Sequence, residues 1–276
     1  MSDGHSEVIS SEPVASRGDP VATSSGLLRA FLAPSPRSGQ ALALSSVRYW
    51  TWVILWGVLV AVALAVRPLL PIDETRYLSV AWEMWRRNDW LVPYLNGSPY
   101  TDKPPLLFWG MLLGWRAFGV NQWWPRLLPP FFGLISVLLL MKLARRLSPA
   151  TPDAAERTLP FLSGALWVTY STVVLFDTLL TTCVLLALLG VVDASRGRAR
   201  RGWSVCAAGI GLGLLAKGPV VLIHVLPVIL LAPWWTADPQ NPKRLVSWRS
   251  WYLGAIAAVA LGAALALAWA LTAAGS

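Results

Sequence analysis

A chain of 276 residues that is 55% hydrophobic and only 13% charged is not a soluble domain, where roughly 25% of residues carry charge. Its net charge of +9 lies in short Arg/Lys clusters between apolar stretches. No large basic domain exists to bind nucleic acid, so the expected surroundings are a lipid bilayer.

Residues 1–46 are rich in Ser, Pro, Gly and Ala with little periodicity, and read as a disordered cytoplasmic tail. The first apolar span is 47–66; it starts too late for a secretory signal and reads as a retained anchor. Ten formal charges, five of each sign, then fall between Arg67 and Pro104. Within this stretch Tyr77, Val80/Ala81 and Met84/Trp85 recur at helical spacing, predicting a helix over 74–88 with Asp73 as its N-cap. Pro104/Pro105 would open a second helix. The apolar segment 105–119 is short for a crossing, which needs about twenty residues, and it contains Arg116. Further spans are expected at 126–142, 159–176, 178–194, 203–216, 219–233 and 251–272, with Lys217-Gly218-Pro219 breaking the long stretch 203–231.

Basic clusters mark cytoplasmic loops. Lys142/Arg145/Arg146, Arg196/Arg198/Arg200/Arg201, Lys243/Arg244/Arg249 and the N-terminal Arg29, Arg37 and Arg48 all fall on one side only if 105–119 does not cross. That segment is therefore expected to lie along the outer surface as an interfacial helix. The outcome is an all-α polytopic bundle of about seven spans over 47–276, with 67–125 as an outer loop. Many of the 17 tryptophans, Trp123, Trp124, Trp248 and Trp251 among them, flank apolar stretches, as an aromatic belt does. Cys183 and Cys206 sit in apolar runs without metal spacing and read as small core hydrophobes.

The residues that could carry chemistry are few. Asp73 is either a cap or a catalytic carboxylate held by backbone amides. Glu74 is expected to pair with Arg76 or a Lys. Asp102-Lys103 is either a solvated turn or a site in which Lys103 binds phosphate and Asp102 a metal or a sugar hydroxyl. Asp177, between two apolar stretches, is a corner cap or a functional acid; a carboxylate placed centrally in the membrane costs about 2.5–3.5 kcal/mol. Lys217 and Arg126 either snorkel or face a polar cavity. His224 reads as a helix-packing hydrogen-bond donor. The run Gly209-Ile210-Gly211-Leu212-Gly213 is best explained by helix packing. Together the three aspartates and three cations form an outward-facing set at lipid depth, suited to a phosphate headgroup on an apolar tail. No Walker loop, Rossmann fingerprint, His-rich metal motif or Ser elbow is present.

Asp73-Glu74-Thr75-Arg76-Tyr77, Gly97-Ser98-Pro99-Tyr100-Thr101-Asp102-Lys103-Pro104-Pro105-Leu106, Arg126-Leu127, Asp177 and Leu215-Ala216-Lys217-Gly218-Pro219 resemble the polyprenyl-phosphate-sugar glycosyltransferases of the protein O-mannosyltransferase and aminoarabinose transferase superfamily. The resemblance covers about 47–275. It implies the GT-C fold and an inverting transfer of a sugar from a polyprenyl phosphate to a glycolipid (lipid A-like), protein or cell-wall glycan acceptor. The setting it implies is the outer face of the bacterial cytoplasmic membrane. It implies Asp73 as the essential loop aspartate and Lys103 as the lipid-phosphate contact. Lys217 and Arg126 are expected to help hold the donor phosphate. Asp102 takes the place of a family Glu that helps hold a divalent metal, Zn or Mg, and Asp177, with Glu74, is a second acidic position. Family enzymes continue well beyond this length and carry metal-binding His residues there, so the chain is expected to be a fragment, a truncated product or a half that needs a partner. The alternatives are a non-catalytic membrane protein that binds a lipid-linked sugar, an inactive fragment of such an enzyme, or a transporter. A transporter would want an inverted repeat, and none is visible.

Overall fold

The computed structural model describes residues 36–151, 153–236 and 247–275, with side chains from Trp50 onward except at 161, 163 and 165. Backbone contacts divide the chain into Met1–Ser46 and Val47–Ser276, and the second unit carries every candidate site residue. Of the expected disordered tail, 1–35 lies outside the described residues, whereas 36–46 is helical.

The elements in order are helices α1 (Pro36–Val66), α2 (Asp73–Arg87), strands β1 (Tyr94–Leu95) and β2 (Ser98–Pro99), α3 (Leu106–Phe118), α4 (Trp123–Leu147), a 3-10 helix (Glu156–Ser163), α5 (Ala165–Thr172), α6 (Asp177–Ser195), α7 (Ala199–Lys217), α8 (Val220–Leu230), α9 (Ala232–Trp235) and α10 (Trp248–Ala274). Among the described residues α4, α6 and α10 are long and apolar enough to cross a membrane. Trp50–Val66, α3 and α8 are shorter apolar helices. The expectation of a single span over 159–176 is corrected. Pro160 sits in the 3-10 helix and Gly164 is extended, with φ −62° and ψ 128°. The segment is therefore cut into two pieces, neither long enough alone for about 30 Å of hydrocarbon.

The break at Lys217-Gly218-Pro219 falls where expected. Gly218 takes φ 69°, a conformation that costs glycine little, and Pro219 precedes the first turn of α8. The glycine-rich run is a packing device. A Cβ on Gly209 would meet the Ala187 backbone nitrogen at 2.5 Å, one on Gly211 the Gly262 carbonyl at 3.2 Å, and one on Gly213 the Val221 side chain at 2.5 Å. Gly209 and Gly213, one turn apart, thus admit α6 and α8 along one face of α7, and Gly211 admits α10 on the opposite one, the close approach that small residues permit between membrane helices. Trp251, expected in the aromatic belt, is buried instead. It stacks edge-on against Trp203 and donates to the Ile229 carbonyl. His224 is exposed. Cys183 and Cys206 are free and buried.

The outer-loop segment folds as its periodicity requires. Glu74, Tyr77, Val80, Ala81 and Met84 make the buried stripe of α2, recurring at the three- and four-residue spacing of a helix face. This stripe packs on α3 and on the start of α6. Phe176 stacks edge-on with Tyr77 at 5.0 Å and with Phe108 at 5.6 Å. Asn88 closes α2 in the left-handed conformation. Asn96 and Gly97, with φ 53° and 82°, form the tight turn between β1 and β2. The Glu83 carboxylate accepts from both of their amides, at 2.5 and 3.0 Å. The hairpin is thereby fastened to α2 and delivers Tyr100-Thr101-Asp102-Lys103 to the base of α3.

Two polar clusters mark the ends of α6. At its C-terminal end the buried Asp193 pairs with Arg146, from the end of α4, and with Arg198, just before α7. At its N-terminal end Asp177 pairs with Lys217, the last residue of α7. Sixteen residues separate the two acids, so at 1.5 Å per residue they lie roughly 24 Å apart.

Candidate functional site

The N-terminal end of α6 brings two of the candidate residues into direct contact. Lys217 Nζ donates to Asp177 Oδ1 at 2.7 Å, with the side chains 27% and 39% exposed. The pair is formed and still reachable. Asp177 opens α6, where the helix dipole favours a carboxylate, and Lys217 closes α7, where it favours a cation. Asp73 opens α2 in the same sense. It is 49% exposed and accepts from Arg76 Nη2 at 2.7 Å. The expected N-cap role is corrected: the cap position is Ile72, no side-chain cap bond forms, and Asp73 is the first helical residue.

Tyr77 and Tyr100 join these groups into one electrostatic neighbourhood. Tyr77 feels Asp73, Arg76 and Lys217. Tyr100 feels Arg76, Tyr77, Asp102 and Asp73. Burial pushes the Tyr77 phenol up, and the Arg76 guanidinium beside it pulls back only part of that shift. Burial also pushes the Tyr100 phenol up. Both therefore stay protonated near neutral pH and can donate. Several buried polar atoms here have no partner among the described residues: Arg76 Nε, the Tyr100 hydroxyl and Thr178 Oγ1. A buried donor without an acceptor costs about 1–3 kcal/mol, a cost that a ligand rich in oxygen acceptors relieves. Sequence reading missed Tyr100 and Thr178 because nothing local distinguishes them from core residues.

Two candidates do not belong to this neighbourhood. Glu74, expected to pair with Arg76, cannot: two positions apart on a helix, the side chains do not face each other. Its carboxylate is fully buried. It accepts from Arg67 Nη1 at 2.5 Å and Nη2 at 3.0 Å. It also accepts from the amides of Leu70 at 2.6 Å and Val174 at 2.8 Å. Burial alone would push this carboxyl up, but the hydrogen bonds from Arg67, Leu70 and Val174 together hold it below the ordinary carboxylate range. A free second acid is therefore not what Glu74 provides.

Arg126 is likewise engaged. It donates to the Ala63 and Leu64 carbonyls at 3.2 Å each and to the Arg67 carbonyl at 2.7 Å. These carbonyls lie at and just beyond the C-terminal end of α1, where Ala63 also accepts the Arg67 amide and a cation is well placed. Arg126 thus clasps the end of α1 in this structure.

Lys103 is half-buried and makes no ion pair or hydrogen bond with the described residues. Asp102 is exposed. No three of His, Cys, Asp and Glu come together among the described residues, so Asp102 alone does not constitute a metal site. A separate cavity of about 460 Å³ lies between α1, α3 and α4, lined by Trp56, Val60, Leu113, Trp124, Leu127 and Phe131 among others. Its walls are hydrocarbon.

The family model described as dolichyl-phosphate-mannose-protein mannosyltransferase matches residues 65–274. The chain is 32% identical over 194 residues to an undecaprenyl phosphate-alpha-4-amino-4-deoxy-L-arabinose arabinosyl transferase of Pseudomonas paraeruginosa, covering 68% of this chain and 35% of that protein. It is 28% identical over 228 residues to the transferase of the same name from Edwardsiella ictaluri, covering 81% of this chain and 40% of that one. Its structure resembles the crystal structure of ArnT from Cupriavidus metallidurans bound to undecaprenyl phosphate, with a TM-score of 0.66 and 27% identity, over 82% of this chain and 41% of that one. The chain thus spans well under half the length of the relatives it matches. With the match running from the end of α1 through α10, it belongs to the dolichyl-phosphate-mannose-protein mannosyltransferase family and has the ArnT-like membrane fold.

Proposed function

We propose that this protein is an inverting membrane glycosyltransferase that takes a sugar from a polyprenyl phosphate. One observation carries the reading. Lys217, paired with the reachable Asp177, and the Asp73–Arg76 pair act on the same Tyr77 phenol, and Arg76, Tyr100 and Thr178 hold buried polar atoms without partners among the described residues. Such a site asks for an anionic ligand with several oxygens. The separate cavity between α1, α3 and α4 has apolar walls that suit hydrocarbon. The relatives' names and the ligand of the Cupriavidus structure point to the same amphiphile.

In the proposed reaction an acceptor hydroxyl oxygen forms a bond to the anomeric carbon. The bond from that carbon to the phosphate oxygen breaks, with inversion, and polyprenyl phosphate leaves with the electron pair. Asp73 accepts the hydroxyl proton; a phosphate acceptor needs no base, and Asp73 then orients it. Lys217 and Lys103 stabilise the charge growing on the departing phosphate. The acceptor is a glycolipid, a protein or a glycan. These steps use the chain's own side chains; among the described residues no three of His, Cys, Asp and Glu come together to hold a divalent metal.

The proposed setting is the bacterial cytoplasmic membrane with the site facing outward. Arg146, Arg198 and their basic neighbours gather at the opposite end of α6, and basic clusters are retained on the cytoplasmic side.

The test is turnover. Purified chain in proteoliposomes, given a polyprenyl-phosphate sugar and a hydroxyl acceptor, should release free polyprenyl phosphate. Lys217→Met should raise KM for the donor by about tenfold, the worth of one charge-assisted contact. Tight donor binding with no release would favour a lipid-linked-sugar-binding protein instead.

A further inference from the structure

The segment entering α2 is held in a conformation it would not choose. Ile72 has φ 77° and ψ −64°, and the Asp73 amide bonds back to the Pro71 carbonyl at 3.1 Å. This is the rare, strained form of the γ-turn. A β-branched residue at positive φ is an outlier, and such strain persists only where the surroundings over-determine it. Packing does not supply the constraint, because the Ile72 side chain is 75% exposed.

Glu74 does supply it. Its Oε2 accepts the Leu70 amide at 2.6 Å, closing the five residues 70–74 into a ring with the γ-turn inside. Its Oε1 accepts the Val174 amide at 2.8 Å, three residues ahead of Asp177. Arg67 grips both carboxylate oxygens and donates to the Thr172 carbonyl at 2.5 Å. Arg126 holds the Arg67 carbonyl in turn. One buried carboxylate therefore ties the start of α2 to the corner that starts α6.

We infer that Glu74 is the positioning residue of the proposed transfer: it forces the strained turn at Ile72 and so fixes Asp73 relative to the Asp177–Lys217 pair. This role rests on the glycosyl-transfer reading. Of these two neighbouring acids only Asp73 then meets the reactants, while Glu74 acts through the backbone on either side.

The test compares the full chain with Glu74→Gln, Ile72→Pro and Ile72→Gly in proteoliposomes. Release of polyprenyl phosphate is measured beside amide hydrogen exchange. Glutamine keeps one acceptor oxygen but loses the grip of Arg67. Proline fixes φ near −65° and abolishes the turn without touching Glu74; glycine tolerates the native φ. Glu74→Gln should lower kcat by 10- to 100-fold, the order expected for about 1 Å of misplacement, with KM within about twofold. Exchange protection should fall at Leu70 and Val174.

Ile72→Pro should lose kcat to a similar extent while Val174 stays protected, and Ile72→Gly should exceed Ile72→Pro by about tenfold in kcat. If the turn does not place Asp73, the Ile72→Pro kcat stays within twofold, so this variant can overturn the role even if Glu74→Gln does not fold. Turnover by the unsubstituted chain together with kcat within twofold in Glu74→Gln or Ile72→Pro would overturn the positioning role alone. Unchanged protection of Val174 in Glu74→Gln would do the same. No release by the unsubstituted chain would remove the transfer reading, and the role with it.

Discussion

Replacing Arg126 with Met separates a helix-end clasp from a phosphate ligand. The side chain gives three hydrogen bonds to carbonyls at the end of α1, one at 2.7 Å and two at 3.2 Å. Charge-assisted bonds contribute about 1.5–3 kcal/mol each when well made. The two long bonds and the half-buried setting reduce the sum, and the interaction with the helix end adds about 0.5–1 kcal/mol. The expected loss is about 3 kcal/mol. At about 2–4 °C per kcal/mol for chains of 150–250 residues, the thermal midpoint should fall by roughly 6–12 °C. Tryptophan fluorescence in detergent follows the transition, since the chain carries 17 Trp. KM for the polyprenyl-phosphate donor, measured below the transition, should stay within about twofold. A midpoint unchanged within about 2 °C, with KM raised roughly tenfold, would refute the clasp and restore the phosphate role.

Gly202→Ala should cost about 1–3 kcal/mol by overpacking, because its Cβ would lie 2.4 Å from the Ala194 backbone nitrogen and 2.6 Å from the Gly190 carbonyl; a lower thermal midpoint checks it. The Glu74 carboxyl is held below its ordinary value of 4.5. It therefore contributes stability that is fully present above that value and is lost as pH falls through the lower folded one. The midpoint of the unsubstituted chain should be flat from neutral pH to about 4.5 and fall below it, and Glu74→Gln should lack that fall.

What the sequence disclosed came from local rules. The stripe of α2 is visible because its buried positions recur every three or four residues. The break after Lys217 is visible because Gly and Pro state their preferences within two positions. Asp177 stands out because an acid between apolar runs is expensive unless partnered, and Lys217, forty residues on, is that partner.

What the sequence hid depends on distance. Glu74 reaches Val174 across a hundred residues, and Arg126 reaches Leu64 across sixty-two. No local pattern carries such pairings. Arg67 looks like any cation after an apolar span, yet it grips the one fully buried glutamate among the described residues. The segment 159–176 has the composition of a span, and only the conformations at Pro160 and Gly164 divide it. Trp251 shares its composition and flank with the belt tryptophans, and differs only in having α7 and α8 against it. The unpartnered Tyr100 hydroxyl becomes conspicuous only once the hairpin places it beside Arg76.

Asp73→Asn is the sharpest single experiment. The substitution keeps the size of the side chain and removes the base, in a group half exposed and bound to Arg76. Sugar transfer to a hydroxyl acceptor by the inserted, folded variant should drop at least a hundredfold, the order expected for losing a general base, with donor binding kept. Transfer within a few-fold of the unsubstituted chain would contradict an aspartate-centred reaction at this membrane edge.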